Sequence, residues 1–364
     1  MNRNLFNKKK SKNIYFAATP IHLIGIKEFI KKNNIKEFEL ILFLHNTKKP
    51  DNEIALKQIF LTLKILNFKK YEIFWIPKIR IIRFFLEILL IIKLKKRSIG
   101  NNLNFIIFDF RNIFLQSLRR YFKNSKFTLI DDGFYTYVAE ENYMKKNLFL
   151  PVEKYKSLEG RISKLLYFGF SFKRLKKTPL KIFTIYADEI SNPNAEMNNL
   201  NYLKNKTNKS NGKIIDKIVY FTGTGMVERG ALKLEQELSL IKAANKYWKE
   251  KGKIMYYVGK RSTSRRKLNV FEDNGINTLK FDLPLELVFT KEKVIPGNIC
   301  TLGSTLQKSL SILFENRINF YFINIKDFFN IKYDGDKNIK MDEVDHIAAL
   351  YSEKSSNIIK LNLH

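Results

Sequence analysis

Cysteine and histidine are scarce in this sequence. One cysteine, Cys300, is present among 364 residues, which excludes an internal disulfide and a cysteine-based zinc site. The four histidines are scattered along the chain, so we expect no structural metal site. A lone cysteine also fits a reducing compartment, and we expect a cytoplasmic protein.

Long apolar runs are lacking as well. The run over residues 84–92 is interrupted by Glu87 and is too short to span a bilayer. At the N-terminus, the basic residues 1–13 precede only a short apolar run at residues 14–18. A signal peptide needs a longer apolar core, so none is expected.

Acidic residues are few relative to basic ones. The chain holds 35 Asp and Glu against 66 Lys and Arg, which gives a formal net charge of +31. Such an excess predicts an anionic partner: nucleic acid, an acidic membrane surface or a phosphorylated substrate. The basic residues are dispersed and form neither a recognition-helix nor an RNP pattern, so no specific nucleic-acid partner is expected. A basic, non-enzymatic nucleic-acid binder stays open as an alternative of another class.

Apolar residues alternate between strand-like and helix-like spacing along most of the chain. This alternation predicts parallel sheets with helices on both faces, interrupted by a polar linker at residues 191–211. A second alternation begins at residue 217 and ends in a helix at residues 342–352. We therefore predict an α/β protein with two Rossmann-like domains facing a cleft, at residues 1–200 and 213–364.

Two segments, residues 77–97 and 164–177, combine apolar and aromatic residues with flanking cations. Such segments are typical of helices that lie in a membrane interface or cover a domain face. For residues 77–97, a buried helix with solvated ends is the alternative. Two basic patches would act additively on an anionic leaflet, so an anionic membrane surface is a predicted partner.

Polar groups follow two predicted strands of the first half. The strand at residues 127–130 ends in Asp131, Asp132 and Gly133, where open α/β sheets bind ligands. Adjacent carboxylates repel, so one of them can be poised as a proton acceptor; a solvated turn is the alternative. The first strand ends at Thr19, before a helix whose free N–H groups suit an anion or a sugar. His22 on that turn either faces the ligand or simply packs.

Strand ends of the second half carry groups that suit a phosphate. A glycine turn allows close backbone approach, a basic turn supplies fixed charge, and a Ser-Thr pair opens a helix. A carboxylate after a further strand could accept both hydroxyls of a ribose. Taken alone, the Ser-Thr pair is typical of a helix cap, and the Lys-Arg pair is typical of a solvated turn. The predicted ligand-binding residues of this half are Gly223, Thr224, Lys260, Arg261, Glu286, Ser304 and Thr305.

The order of these motifs resembles that of bacterial sialyltransferases: glycosyltransferase family 52, the capsule polysialyltransferases and the related marine-type enzymes. The resemblance spans residues 13–325, and only the order of the short motifs is specific. The matching motifs are, in chain order, Thr19-Pro20-Ile21-His22-Leu23, Asp131-Asp132-Gly133, the glycine turn and acidic residue within 221–228, the Tyr-rich strand and basic turn at 256–261, Pro284-Leu285-Glu286, and Ser304-Thr305.

The resemblance implies a GT-B fold and an inverting, metal-independent transfer of sialic acid or a related nonulosonic acid from its CMP-activated donor. The acceptor would be a glycan or glycolipid hydroxyl of a lipooligosaccharide or capsule, and the two basic amphipathic segments would hold the enzyme peripherally on the inner face of the cell membrane. Asp131 would be the general base, Asp132 would orient it or hold the acceptor, and Glu228 is the rival base. The CMP-nonulosonate donor is a substrate, and no cofactor or metal is implied. A homodimer is left open.

The basic turn departs from that family. The sialyltransferases usually carry His-Pro there, whereas this sequence has Gly259-Lys260-Arg261-Ser262. Lysine and arginine neutralise phosphate charge but do not donate a proton near neutral pH. Three interpretations stay open: the cations replace the histidine, His22 substitutes for it from the other domain, or the donor is another nucleotide-activated sugar.

Overall fold

The computed structural model describes residues 10–45, 50–146, 158–168, 180–223, 225–228, 230, 232–325, 328 and 358–363. The chain forms two compact units. Unit 1 comprises Met1–Asn52 and Thr62–Asn198, and unit 2 comprises Glu53–Leu61 and Asn199–His364. The predicted helix at residues 342–352 lies outside the described residues.

Unit 1 contains a parallel seven-stranded sheet in the order β3-β2-β1-β4-β5-β6-β7. Its strands are β1 (Lys10–Ala17), β2 (Glu39–His45), β3 (Glu72–Ile76), β4 (Asn101–Ile107), β5 (Lys126–Ile130), β6 (Leu180–Thr184) and β7 (Ala195–Met197). Its helices are α1 (Pro20–Lys32), α2 (Pro50–Ile65, shared with unit 2), α3 (Arg80–Ser98), α4 (Ile113–Tyr121), α5 (Tyr135–Ala139) and α6 (Leu158–Phe168), with a π-helical turn at Glu140–Met144.

An aromatic row holds the centre of this sheet together. Phe43, Phe16, Phe105 and Phe127 come from the neighbouring strands β2, β1, β4 and β5, and all are buried. Phe105 stacks on Phe127 with ring centroids 4.9 Å apart, and Phe16 meets Phe43 edge-on at 5.5 Å. Aromatic pairs in these arrangements stabilise a core beyond the area they bury. The apolar runs of these four strands are therefore the buried centre of a parallel sheet.

Unit 2 repeats the plan with six parallel strands in the order β10-β9-β8-β11-β12-β13. The strands are β8 (Lys213–Thr222), β9 (Ile254–Gly259), β10 (Asn277–Lys280), β11 (Val294–Thr301), β12 (Asn319–Phe322) and β13 (Ile358–Lys360). The helices are α7 (Asn201–Ser210), α8 (Leu234–Glu250), α9 (Arg265–Asp273), α10 (Leu285–Val288) and α11 (Thr305–Phe314), followed by a 3-10 turn at Glu315–Arg317.

Both sheets share one winding pattern. In each, the chain proceeds from a central strand to one edge, returns to the other side of that strand and continues outward. This is the doubly wound order 3-2-1-4-5-6 of Rossmann-like folds, with β7 as an additional edge strand in unit 1. The prediction of an α/β fold with two Rossmann-like domains is therefore confirmed. The two places where the winding direction reverses lie between β1 and β4 and between β8 and β11.

The polar stretch at residues 191–211, predicted as a linker, contains the boundary between the two units at Asn198 and Asn199, but it has regular structure. It contains β7, which pairs with β6, and the helix α7. Leu203 and Thr207 of α7 are buried, and this packing anchors a helix that is otherwise rich in Asn and Lys. Tertiary burial has overridden a weak local pattern, since helix propensity alone is a small energy.

The predicted amphipathic segment at residues 77–97 is largely the 19-residue helix α3. Its inner face is buried through Glu87, Leu90, Ile91 and Leu94. Within the described ranges, no helix combines the length and the apolarity that crossing a membrane requires.

Candidate active site

Three loops of unit 1 meet at the carboxyl edge of its sheet, where the winding reverses. They follow β1, β4 and β5, which are hydrogen-bonded neighbours in the sheet. The first loop and the start of α1 carry His22, the second carries Arg111, and the third carries Asp132. Ligands of doubly wound folds bind at such a reversal, so this side-chain cluster occupies the expected position of a site.

His22 is fixed by both of its ring nitrogens. Its Nδ1 accepts a hydrogen bond from the Ala18 backbone N–H at 3.1 Å, which places the proton of the neutral ring on Nε2. Nε2 then donates to Asp132 Oδ1 at 3.0 Å. The ring is 2% exposed and stacks on Phe108 with centroids 4.4 Å apart. His22 therefore packs in the core, as one of its two predicted alternatives has it, and orients a carboxylate. Its predicted contact with a ligand stays a prediction.

Asp132 is held on its other oxygen by Arg111. Arg111 Nη2 donates to Asp132 Oδ2 at 2.8 Å, and Arg111 Nε donates to Asp109 Oδ1 at 3.0 Å. The guanidinium carbon lies 3.7 Å from the centre of the Tyr135 ring. Burial raises the pKa of Asp132, but the bond from His22 and the charge of Arg111 outweigh it and leave this pKa below its usual value.

An ionised carboxylate has about four lone-pair positions, and His22 and Arg111 occupy two of those on Asp132. The Asp132 side chain is 21% exposed. It can therefore accept a further hydrogen bond from a ligand hydroxyl. The backbone of the turn is held separately, because Asp132 N–H donates to Thr136 Oγ1 at 3.0 Å. Gly133 supports the same turn with a φ of 64°, which side chains disfavour.

Asp131 lies in a different environment from its neighbour. One oxygen accepts a hydrogen bond from the Thr184 hydroxyl, and the other accepts one from the Ile185 N–H at 2.9 Å. The residue is 6% exposed. Burial raises the pKa of Asp131 to about 7, although these bonds act in the opposite direction. The carboxyl ties the end of β5 to the end of β6, and adjacent acids thus acquire pKa values far apart.

Thr19 precedes α1 in the same cluster. Its backbone is extended, and its side chain does not cap the helix. Among the described residues, Thr19 Oγ1 is a shielded hydroxyl that has no hydrogen-bond partner. The predicted contact of Thr19 with a ligand stays a prediction.

The second reversal, in unit 2, brings together the turns after β8 and β11. Thr222 and Thr301 end these strands as paired neighbours. Gly223 follows β8 under strict steric limits, because an added Cβ would lie 2.9 Å from Tyr257 Cζ and closer still to Tyr257 Oη. Gly225 has a φ of 70°, which favours glycine. Thr224, a predicted ligand-binding residue, lies outside the described residues.

Replacing Gly223 with alanine is expected to destabilise the protein by about 1–3 kcal/mol, because the methyl group displaces Tyr257 from its buried position. Urea-induced unfolding in a Trp75→Phe background, followed by the fluorescence of Trp248, measures the loss. In a Tyr257→Phe background the closest atom is gone, so the cost of Gly223→Ala should fall. Equal costs in both backgrounds would show that Tyr257 does not set the glycine requirement.

A buried ionic cluster lies behind this glycine turn. Lys267 of α9 contacts Glu237 Oε2 at 2.7 Å and Glu228 Oε1 at 3.2 Å. Tyr257 Oη donates to Glu237 Oε1 at 2.9 Å. Glu228, predicted as the rival base, is thus paired with a lysine that is 4% exposed. An added Cβ on Gly225 would be 3.7 Å from Glu228 Oε2, so the cluster borders the turn directly.

The basic turn after β9 lies along the same glycine turn. An added Cβ on Gly225 would be 3.7 Å from Lys260 Cδ and 3.4 Å from Ser262 Oγ. Lys260 is half-buried and Arg261 is exposed. A lysine beside a positive-φ glycine places a cation close to the backbone of the turn, which suits a phosphate.

The start of α11 contributes the third part of the unit 2 cluster. Ser304 caps this helix by accepting from the Leu306 N–H at 3.4 Å, and Thr305 is its first residue. Thr301 Oγ1 is buried and has no partner within the part of the chain that the structure describes. The ten-residue helix points its positive end at the reversal, where an anion is favoured.

Glu286 contacts α11, and its side chain is buried. It is 5% exposed, and its Oε1 accepts a hydrogen bond from the Ser309 hydroxyl at 2.6 Å. Ser309 lies one turn after Thr305 on the same helix. Burial raises the pKa of Glu286. Its predicted contact with ribose hydroxyls stays a prediction.

Several residues of these clusters were missed from the sequence. Asp109 and Arg111 follow β4, so the reasoning used for Asp131 and Asp132 would have found them had it been applied to every strand end. No local signal distinguishes Lys267 or Glu237, because helical Lys and Glu residues are usually solvated. Among the described residues, no group of three His, Cys, Asp or Glu side chains could hold a metal ion.

No family model and no curated protein sequence matches this chain. Among solved structures, it is similar to a Listeria monocytogenes protein with the assigned name UDP-N-acetylglucosamine 2-epimerase, at 9% identity, a TM-score of 0.49, and coverage of 96% of this chain and 89% of the other. It is also similar to LpCGTa in complex with UDP, at 11% identity, a TM-score of 0.49, and coverage of 96% and 84%.

A third similar structure is the spinosyn rhamnosyltransferase SpnG complexed with thymidine diphosphate, at 9% identity, a TM-score of 0.45, and coverage of 96% and 86%. With identities and TM-scores this low, the fold assignment depends on the strand order of the two sheets themselves.

Proposed function

We propose that this chain is an inverting GT-B glycosyltransferase that moves a sugar from a nucleotide-activated donor to a hydroxyl group. One observation carries this proposal: the two Rossmann-like units hold complementary polar clusters at the reversals of their sheets. Unit 1 presents an oriented, ionised carboxylate, Asp132. Unit 2 presents a glycine turn, the basic turn at Lys260 and the start of α11. A base and a phosphate site are the two components that such a transfer requires.

For the donor, we propose CMP-activated sialic acid or a related nonulosonic acid, and for the acceptor a lipooligosaccharide or capsule glycan. The support is the motif order that the chain shares with the bacterial sialyltransferases. Lys260 and Arg261 would neutralise the phosphate in place of the usual histidine. Another nucleotide-activated sugar is the competing donor, because a glycine turn, a cation and a helix start bind phosphate without distinguishing one nucleobase from another.

In the proposed reaction, the acceptor hydroxyl attacks the anomeric carbon of the donor from the face opposite the nucleotide. A new carbon–oxygen bond forms as the bond to the phosphate breaks, and the nucleotide leaves with the electron pair. The hydroxyl proton passes to a carboxylate. Donors around the departing phosphate, namely Lys260, Arg261 and the start of α11, would stabilise the charge that develops there.

We assign the proton acceptor to Asp132 rather than to Asp131. Both Asp131 oxygens already accept bonds from β6 and its following residue, and the side chain is buried. Asp132 keeps free lone pairs and exposed surface. A carboxylate of lowered pKa is a weak base, so it takes the proton late, when the attacking oxygen has become acidic. His22 and Arg111 are positioning residues in this scheme.

A nucleotide panel tests the proposal. CMP, CDP, UMP and UDP are added separately to the full chain, and the melting temperature is followed. We expect CMP to give the largest rise in melting temperature, because the proposed donor is activated with CMP. A ligand at 100 times its Kd stabilises the native state by about 2.7 kcal/mol. Lys260→Met should reduce that rise, whereas Lys291→Met, an exposed residue of the same unit, should leave it unchanged.

Other outcomes of the panel discriminate the alternatives. A preference for UDP or UMP would favour a different nucleotide-activated sugar, and a donor screen with nucleotide release would then identify it. No rise with any nucleotide, together with salt-dependent binding of random DNA, would contradict the enzyme and support a nucleic-acid binder.

A further inference from the structure

Unit 1 carries an exposed apolar surface centred on α3. Ile81, Phe85, Leu89 and Ile92 recur every three or four residues along this helix and are 69%, 61%, 59% and 46% exposed. Fourteen of the eighteen exposed large apolar side chains in the described part of the chain lie within residues 71–99 and 162–166. The exposure is therefore concentrated in one region, and such concentration marks an interaction surface. We call the outward-facing residues of α3 the α3 face.

The α3 face is held rigidly outward because the opposite side of the helix is buried. Glu87 is 0% exposed, accepts a bond from Arg83 Nε at 2.9 Å and accepts another from the Tyr167 hydroxyl of α6. The Tyr167 ring also meets Phe84 edge-on at 5.3 Å. These contacts fix α6 beside α3, and α6 adds Ile162, Leu165 and Leu166 to the exposed apolar residues.

The edge strand β3 extends the same region. Its Glu72 binds Lys93 of α3 at 2.7 Å and Arg97 of α3 at 3.0 Å, which ties the strand to the helix. Trp75 of β3 is 44% exposed. An exposed tryptophan beside apolar side chains is typical of the water–lipid boundary, where its ring is partly buried and its N–H stays solvated.

Cations stand at both ends of the α3 face. Lys78 precedes the helix and Arg80 is its first residue, whereas Lys95 and Lys96 lie in its last turn. All four side chains are exposed. Lys96 continues the three-to-four-residue spacing of the apolar residues, so a positive charge lies at the end of the apolar row. An apolar helix face flanked by cations suits an anionic lipid surface, because the apolar side chains reach the acyl chains while the long basic side chains meet the headgroups.

We propose that the α3 face docks on an anionic lipid bilayer, with α3 lying along the surface. Charge argues against a second copy as the occupant, because two-fold pairing would set these cations against themselves in a chain of net charge +31. The apolar residues argue against nucleic acid, whose backbone offers them nothing to bury. This inference concerns a surface rather than the reaction, and it holds whichever nucleotide sugar is used.

Vesicle co-sedimentation of the full chain tests this surface. We expect binding to vesicles of phosphatidylcholine with phosphatidylglycerol, and much weaker binding to phosphatidylcholine alone. The double variant Phe85→Glu with Leu89→Glu should lower the partition coefficient on anionic vesicles about tenfold or more, since it removes apolar burial and adds repulsion.

The matched control is Ile254→Glu with Val294→Glu, which makes the same charge change at residues of unit 2 that are 50% and 44% exposed. This control should sediment like the unsubstituted chain. Lys78→Glu with Lys96→Glu tests the charged ends and should weaken binding to anionic vesicles only. An unchanged melting temperature of each variant confirms that the fold is intact.

Three results would overturn the proposal. Failure to bind anionic vesicles would do so directly. Equal loss in the control and the α3 variants would show that charge alone drives the association. A dimer in sedimentation equilibrium without lipid, separated by Phe85→Glu with Leu89→Glu, would show that a second copy covers this face.

Discussion

Replacing Asp132 with asparagine should lower kcat/KM for sugar transfer by about 100- to 10,000-fold, the range that a positioned general base contributes. Asparagine preserves the shape of the side chain and can still bond to either His22 or Arg111. It cannot take up the proton of the acceptor hydroxyl. Nucleotide binding in unit 2 should persist, so the CMP-induced rise in melting temperature separates a lost base from a lost fold.

The pH profile of the unsubstituted enzyme distinguishes Asp132 from Asp131. A base with a pKa of about 7, as burial gives Asp131, is active only when ionised, so kcat/KM would rise as the pH increases through 7. The pKa of Asp132 lies below its usual value, and a reaction that depends on it has no such limb. A limb near pH 7 that disappears in Asp131→Asn would return the role of base to Asp131.

Replacing Lys267 with methionine should destabilise unit 2 by about 3–5 kcal/mol, the cost of removing one partner from a buried ion pair. Lys267 is 4% exposed and Glu237 is 0% exposed, so the substitution leaves a carboxylate without compensation in the core. The bond from Tyr257 then remains as the support that the structure gives Glu237. Urea-induced unfolding in the same Trp75→Phe background, followed by Trp248 fluorescence, measures the loss of stability.

Arg265 provides the matched control for this substitution. It lies on the same helix as Lys267, is 72% exposed and contacts Glu272 Oε2 at 3.2 Å, and an exposed pair contributes about 0–1 kcal/mol. Arg265→Met should therefore cost far less than Lys267→Met. Adding Glu237→Gln to Lys267→Met should restore much of the stability, because the uncompensated charge is removed. If Lys267→Met costs no more than the control, the buried cluster does not stabilise unit 2.

The sequence alone determined the architecture of each unit. Strands of a parallel sheet are covered on both faces, so they appear as continuous apolar runs, and the helices between them keep a different period. Polar residues after these runs must lie at the carboxyl edge of the sheet. For that reason Asp131, Asp132, Gly223 and Ser304 could be proposed as site residues before any coordinates were known.

Only the tertiary structure decided what each of these groups does. Asp131 and Asp132 are adjacent, yet their partners lie far away in the chain: Thr184 is 53 residues from Asp131, and His22 is 110 residues from Asp132. The pKa of a carboxyl depends on such partners and on burial, which a local pattern does not encode. The pairing of Lys267 with Glu237 could not be predicted for the same reason. The two residues are 30 positions apart, and each lies on a helix whose charged residues are typical of a solvated surface.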